Sequence, residues 1–152
     1  MQERDYPVGL DFGWIAADRE GRVAVFITAG QGPVPTLTLV PQRPPVEDSE
    51  SRLDVLPPIT SAELLVPLKR PDDFVKLARR GLFVYDWTDA DAKKTTATNS
   101  YELIAVPGVP ISVGNLPKDV TLLLEGIVLN VSFTRDRSID VTQHLDCRRP
   151  PP

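Results

Sequence analysis

The sequence predicts an α+β fold, in which two or three short helices pack on a mostly antiparallel sheet of six or seven strands. Three observations support this. Two apolar segments, 12–17 and 23–28, flank a four-residue turn; residues 127–133 alternate between apolar and polar; and residues 71–80 carry an amphipathic helical pattern. These segments are short and of mixed type, which is typical of a sheet covered by helices rather than of a bundle or a barrel.

The N-terminal hairpin is the clearest local feature. Apolar side chains occupy both alternating faces of its two segments, and strands of this kind are usually covered on both sides. We therefore expect the hairpin inside the sheet or beneath helices. Asp18 and Gly21 suit the first and last positions of its turn. The exit, Gly30 to Pro35, is interpreted as a structural turn, because prolines stand where a phosphate site would need a helix N-terminus.

The helix at 71–80 is marked at both ends. Pro71 suits the first helical position, two aspartates follow it, two arginines close the last turn, and Gly81 suits the C-cap. A strand is expected directly after it, at Leu82 to Trp87. The remaining expected elements are a strand at 36–40, a short helix at 48–56, a loop at 89–100, a strand at 101–106 with a possible extension at 109–113, a helix at 117–125, a strand at 127–133 and an edge strand from Ile139.

The length of 152 residues suits one domain. We expect it to span 1–147, with a Pro-rich connector at 41–58 and a disordered tail at 148–152. A net charge of −4 argues against nucleic-acid binding, because phosphate contacts need a basic face. No apolar run is long enough to cross a membrane and no secretory segment opens the chain, and a single cysteine suits a reducing compartment. The predicted location is the cytoplasm.

The reactive residue types do not assemble into a recognisable catalytic or metal site. The one histidine, His144, lies close to the one cysteine, Cys147, near the end of the chain, where a rigid dyad or a full zinc shell is not expected. Asp86, Asp89 and Asp91 have the spacing of a calcium loop without its central glycine and final glutamate. We therefore predict no enzyme activity, no catalytic residue, no metal and no cofactor.

A candidate binding patch combines aromatic and acidic side chains. Tyr85 and Trp87 share one face of a predicted strand, and Asp86, Asp89 and Asp91 surround them in sequence. If the strand ends at the surface, these five residues form an acidic-rimmed protein-binding patch, since Tyr and Trp are enriched in such interfaces. The alternative is that the two aromatic side chains pack in the core, as alternation on a buried strand predicts.

The hairpin and its exit carry a longer motif, W-I-A-x-D-x-x-G-x-V-A-x-F-x-T-x-G-x-G-P-V-P, from Trp14 to Pro35. With the segments 81–87 and 101–107, it resembles a group of small bacterial proteins that are similar to the immunity proteins of polymorphic toxin systems. The resemblance implies a non-enzymatic domain that blocks a partner toxin. It supplies no catalytic or toxin-contact residues, and the Pro-rich segment 41–58 departs from the pattern.

Together these features predict a non-catalytic protein-binding module of immunity type, acting in a bacterial cytoplasm on a basic, toxin-like protein. Two alternatives stay open. A small hydrolase using dispersed Asp and Glu residues predicts a concave pocket that holds two carboxyl groups of raised pKa. A structural homo-oligomer predicts pairing through an exposed sheet edge.

Overall fold

A computed structural model describes residues 2–68, 70–87 and 100–152. These residues form an α+β fold with a curled, mixed sheet of six strands, which confirms the predicted fold class. The strands are β1 (Gly13–Ala17), β2 (Val23–Ile27), β4 (Ala62–Leu64), β5 (Phe83–Trp87), β6 (Tyr101–Pro107) and β7 (Ser138–Ile139). A separate two-stranded ribbon pairs β3 (Val34–Pro35) with β8 (Cys147–Arg148).

The sheet is mostly antiparallel. Its order is β1-β2-β5-β6-β4, and β7 pairs with the start of β6. The one parallel pair within it joins β2 to β5. Parallel neighbours need a crossover connection, and the chain between β2 and β5 contains both the Pro-rich segment and the helix that precedes β5. Within the described residues, no helix combines the length and the apolar character needed to cross a bilayer.

The predicted hairpin is confirmed, and every residue of β1 and β2 is buried. The Asp18 carboxylate organises its turn: Oδ1 accepts hydrogen bonds from the backbone N–H groups of Glu20 and Arg22, at 3.0 and 2.9 Å. Gly21 adopts the expected positive φ of 79°. Oδ2 accepts a third bond, 3.0 Å long, from the backbone N–H of Phe133. The turn is thereby tied to a segment more than a hundred residues further along the chain.

Each face of the sheet carries its own core. One face is aromatic, and the rings of Trp14, Phe26 and Tyr85 stack in succession across β1, β2 and β5. The opposite face is aliphatic and is covered by three short helices. These helices are α1 (Ser49–Arg52), α2 (Asp72–Arg79) and α3 (Lys118–Leu124).

The predicted helices at 71–80 and 117–125 are confirmed, and Gly81 ends α2 with a φ of 93°. The helix expected at 48–56 is only partly right, because α1 covers four residues and is flanked by 3-10 turns at 46–48 and 53–55.

Two predicted strands are wrong. Residues 36–40 form a 3-10 helix over Thr36–Leu39, where the Thr38 hydroxyl donates to the Pro35 carbonyl oxygen at 2.6 Å and favours a turn. Residues 127–133 keep the predicted alternation, with Ile127 and Leu129 buried, but make only one parallel bridge, at Val128, to the end of β1. The segment covers the aromatic face instead of extending the sheet. The possible extension at 109–113 forms a single bridge at Ser112.

The first residue of the tail predicted to be disordered, 148–152, is paired in a strand. Arg148 lies in β8 opposite Val34, and its Nε donates to a Glu3 carboxylate oxygen at 3.0 Å. Disorder in the rest of the tail stays a prediction, as does the single-domain boundary. The loop predicted at 89–100 lies outside the described residues except for Ser100, which is buried.

Candidate functional site: an acidic rim on the sheet

The described residues of the predicted binding patch do not share one surface. Tyr85 and Trp87 are 0% and 3% exposed, so they are core residues, in agreement with the alternative interpretation, and not surface anchors of a patch. The reason is the position of β5, which lies between β2 and β6 with its aromatic face covered by residues 127–141. Asp89 and Asp91 lie outside the described residues.

The polar atoms of these two aromatic side chains are also enclosed. The Tyr85 hydroxyl donates to the Asp136 carbonyl oxygen at 2.5 Å. The Trp87 indole N–H is buried and has no hydrogen-bond partner among the described residues, and the Arg149 guanidinium lies 6.0 Å from the centre of the Trp87 ring. Neither ring is available to a protein partner in this conformation.

Asp86 alone of the described patch residues faces the helix side of the sheet, where it is half-buried. Burial, with the negative charge of Asp11 as a second cause, raises the pKa of its carboxyl group to about 6. A hydrogen bond from the backbone of Trp87 acts in the opposite direction and is outweighed. Asp86 is therefore partly protonated just below neutral pH.

The strand register places Asp86 in a row at one end of the sheet. Gly13 of β1 is opposite Ile27 of β2, Ile27 is beside Asp86 of β5, and Asp86 is opposite Glu102 of β6. Glu102 is satisfied by neighbouring hydroxyls, since it accepts from Ser100 at 2.8 Å and from Ser138.

Glu50 reaches the same end of the sheet from α1. A Cβ atom at Gly13 would lie 2.9 Å from Glu50 Oε1, so the carboxyl group occupies space that only glycine leaves open. Burial raises the pKa of Glu50, and Asp11, Asp73 and Asp54 add to the effect. We call the residues Asp11, Glu50 and Asp86 the acidic rim. Among the described residues, no ion pair involves any of its three members.

A groove of about 320 Å³ adjoins the rim between α1 and α2. Glu50, Asp54 and Asp73 line it, together with Lys76 and Arg80. Arg80 Nη2 lies 3.3 Å from Asp54 Oδ1, so this arginine is already paired within the groove wall. The groove has an acidic end at Glu50 that continues into the rim.

The arrangement favours no metal or thiol chemistry in the described part of the chain. No group of three His, Cys, Asp or Glu side chains there could hold a metal ion. Burial raises the pKa of the half-buried Cys147 thiol to about 11, so the reactive thiolate is scarce at neutral pH.

Sequence reasoning found Asp86 and missed Asp11 and Glu50. Glu50 lies in a segment whose pattern predicts only a short helix, and Asp11 comes just before the first predicted strand. The one local signal was Gly13, a glycine where the first strand begins, since a glycine in a strand often marks a close approach by another group.

Comparisons with protein-family models, with curated proteins and with solved structures find no match to this chain. Function therefore has to be argued from the rim itself.

The charge state of Asp86 should make the stability of the protein depend on pH. A carboxyl group whose pKa is higher in the folded than in the unfolded state stabilises the fold at low pH, and this contribution is lost as pH rises through the folded value. We expect the free energy of unfolding to fall between about pH 4 and pH 6. Asp86→Asn should remove much of that fall and stabilise the protein at pH 7.5 by about 1–2 kcal/mol, a range already reduced for solvent screening at a half-buried group.

Urea unfolding of the wild type and of Asp86→Asn at several pH values measures this difference. Glu125→Gln, which neutralises an exposed residue beyond α3, is the control and should follow the wild type. A wild-type pH profile retained by Asp86→Asn would contradict the assignment.

Proposed function

We propose that this protein is a non-catalytic protein-binding module of immunity type that recognises a basic protein partner through the acidic rim. The observation that supports the proposal is that burial and the charge of Asp11 raise the pKa of both Glu50 and Asp86, while none of the three makes an ion pair within the described residues. Like charges held together raise the free energy of the unbound state, and a lysine or arginine from a partner relieves that repulsion.

The setting of the rim also suits recognition. Asp86 lies on the central strand β5, Asp11 and Glu50 approach the same end of the sheet from the segment before β1 and from α1, and the groove between α1 and α2 extends the rim. The net charge of −4 gives a basic partner long-range attraction as well. We place this activity in a bacterial cytoplasm, in keeping with a lone cysteine and with the resemblance of the Trp14 to Pro35 motif to immunity-like proteins.

Partner capture tests the proposal. Tagged protein is used to retrieve partners from an extract of the source cells, and the retained proteins are identified and quantified by mass spectrometry. We expect one basic protein at a near-stoichiometric level, with a yield that falls as salt is raised, because exposed charge pairs are screened.

A variant with a neutralised rim tests whether capture depends on this surface. It combines Asp11→Asn, Glu50→Gln and Asp86→Asn, and should reduce capture at least about tenfold if two or more charge pairs are lost. The matched control changes the net charge equally at exposed positions away from the rim, with Glu63→Gln, Asp119→Asn and Glu125→Gln. Equal capture by the two variants, or no stoichiometric partner for the wild type, would contradict the proposal.

A second candidate is a small hydrolase. The observation that favours it is the raised pKa of two carboxyl groups, Glu50 and Asp86, that both lie close enough to Asp11 to be affected by its charge, since a general acid needs a pKa close to the working pH. Only Glu50 of this pair lines the groove between α1 and α2, so the pocket with two such groups that a hydrolase predicts is incomplete there. Hydrolysis of an ester or glycoside panel that is abolished by Glu50→Gln would favour this candidate over the binding module.

A further inference from the structure

We propose that Glu50 is a pH-sensitive latch that sets how tightly α1 packs against β1. The inference concerns the motion of the Pro-rich segment and does not depend on the proposed function. The segment that carries the latch is short and irregular: α1 has four residues, flanked by the 3-10 turns at 46–48 and 53–55, and prolines stand on both sides. So short a helix has little stability of its own and depends on its contacts with the sheet.

The contact at Glu50 is of an unusual kind. Glu50 Oε1 lies where a Cβ atom of residue 13 would be 2.9 Å away, and the same position is bounded by the side chains of Val25 and Ile27 at 3.0 and 3.1 Å. The carboxyl oxygen and two apolar side chains therefore share the space that a side chain at residue 13 would fill. The Glu50 carboxyl group makes no hydrogen bond or ion pair with any described residue.

The charged groups that affect the pKa of Glu50 all raise it. Asp11 precedes β1, Asp54 follows α1, and Asp73 lies in the first turn of α2, and each of the three disfavours a negative charge on Glu50. β1 contributes no charged side chain, and Arg80 of the groove is paired with Asp54. Lys76 lines the groove, and Lys118 and Asp119 of α3, which also packs on α1, are exposed; none of these three is a cause of the raised Glu50 pKa.

The consequence is a difference between the two charge states of Glu50. The neutral carboxyl group fits the space over Gly13 with little penalty, whereas the carboxylate must give up water there and face three like charges. Deprotonation therefore favours a looser position of α1, in which the carboxylate regains water. Val46 and Leu53, both buried, hold the two ends of the segment, so the motion is local opening and not release.

Hydrogen exchange followed by mass spectrometry tests the latch. After correction for the intrinsic effect of pH on exchange, protection of the 46–56 amides should fall at least about threefold between pH 5 and pH 8 in the wild type. Glu50→Gln, which keeps the shape and removes the charge, should show no such fall. Glu125→Gln should behave as the wild type.

Two results would overturn the latch. One is that the protection of the 46–56 amides in the wild type does not change between pH 5 and pH 8, and the other is that protection falls equally in Glu50→Gln. A titration of the Glu50 side-chain carboxyl by NMR needs no variant. It should show a pKa above the ordinary glutamate value, and an ordinary value would also overturn the proposal. Partner capture is a separate measurement, so failure of the latch leaves the proposed function standing and the reverse is equally true.

Discussion

Asp18→Ala is expected to lower the free energy of unfolding by about 3–5 kcal/mol, since it deprives three backbone N–H groups of their acceptor. The Asp18 side chain is fully buried, and it accepts from Glu20 and Arg22 within the turn and from Phe133 on the covering segment. An alanine leaves the buried Phe133 N–H without an acceptor and also removes the acceptor of the two part-buried N–H groups of the turn. Domains of this kind have about 5–15 kcal/mol of stability in all, so the variant should be close to unfolding at 37 °C.

Asp18→Asn and Asp140→Ala are two comparison variants for which we expect smaller losses of stability. Asparagine keeps one acceptor oxygen and should lose about half as much stability as alanine. Asp140 accepts from the Thr142 backbone N–H at 3.0 Å in an exposed turn, and its loss should cost about 0.5–1 kcal/mol. Urea unfolding monitored by tryptophan fluorescence measures all three variants. An Asp18→Ala effect no larger than that of Asp140→Ala would show that Asp18 does not organise the turn.

Gly32→Ala is the second large effect, expected to cost about 2–4 kcal/mol through overpacking. A Cβ atom at residue 32 would stand 2.3 Å from the Tyr101 hydroxyl oxygen. Tyr101 is fully buried and has no room to retreat, because its hydroxyl accepts from Trp14 Nε1 at 3.2 Å and donates to the Pro33 carbonyl oxygen at 2.9 Å. Residue 32 has to be glycine because there is no room for a side chain, and this explains one position of the G-x-G-P-V-P motif.

A double-mutant cycle isolates this clash. Tyr101→Phe alone should cost about 1–2 kcal/mol, because it leaves the Trp14 N–H and the Pro33 carbonyl without their partner. In the double variant the oxygen at 2.3 Å is gone and only ring carbons, the nearer at 2.8 Å, still crowd the new methyl group, so the combined loss should be smaller than the sum by at least about 1 kcal/mol. Gly114→Ala, where nothing lies within 4 Å, should change stability by less than about 0.5 kcal/mol. Strict additivity of Gly32→Ala and Tyr101→Phe would contradict the proposed clash.

The elements that sequence reasoning predicted well are those with local causes. The α2 helix carries its start, dipole charges and C-cap within ten residues, and the first hairpin carries its turn residues between two apolar segments. The errors arose where a local pattern has two solutions. Alternation at 127–133 predicts a strand, yet the segment covers an aromatic face that β1, β2 and β5 create together, and alternate burial satisfies both arrangements.

The acidic rim could not be predicted because its members come from distant parts of the chain. Asp11 precedes the first strand, Glu50 lies in the Pro-rich segment, and Asp86 is the last residue but one of a strand in the middle of the sheet. Only the parallel pairing of β2 with β5, and the packing of α1 on β1, bring them together. The same topology explains why Tyr85 and Trp87 are buried and do not form a surface patch. The end of a strand is exposed when it is an edge strand, whereas β5 is central.

The central claim is that Glu50 and Asp86 are held partly out of water and close to the charge of Asp11, with no ion pair to any of the three in the described residues. The most direct measurement is the NMR titration of the Asp86 side-chain carboxyl in the free protein. The account predicts a pKa of about 6. A titration near the ordinary aspartate value of 3.8 would show that the charge on Asp86 is already solvated or balanced, and would contradict the account.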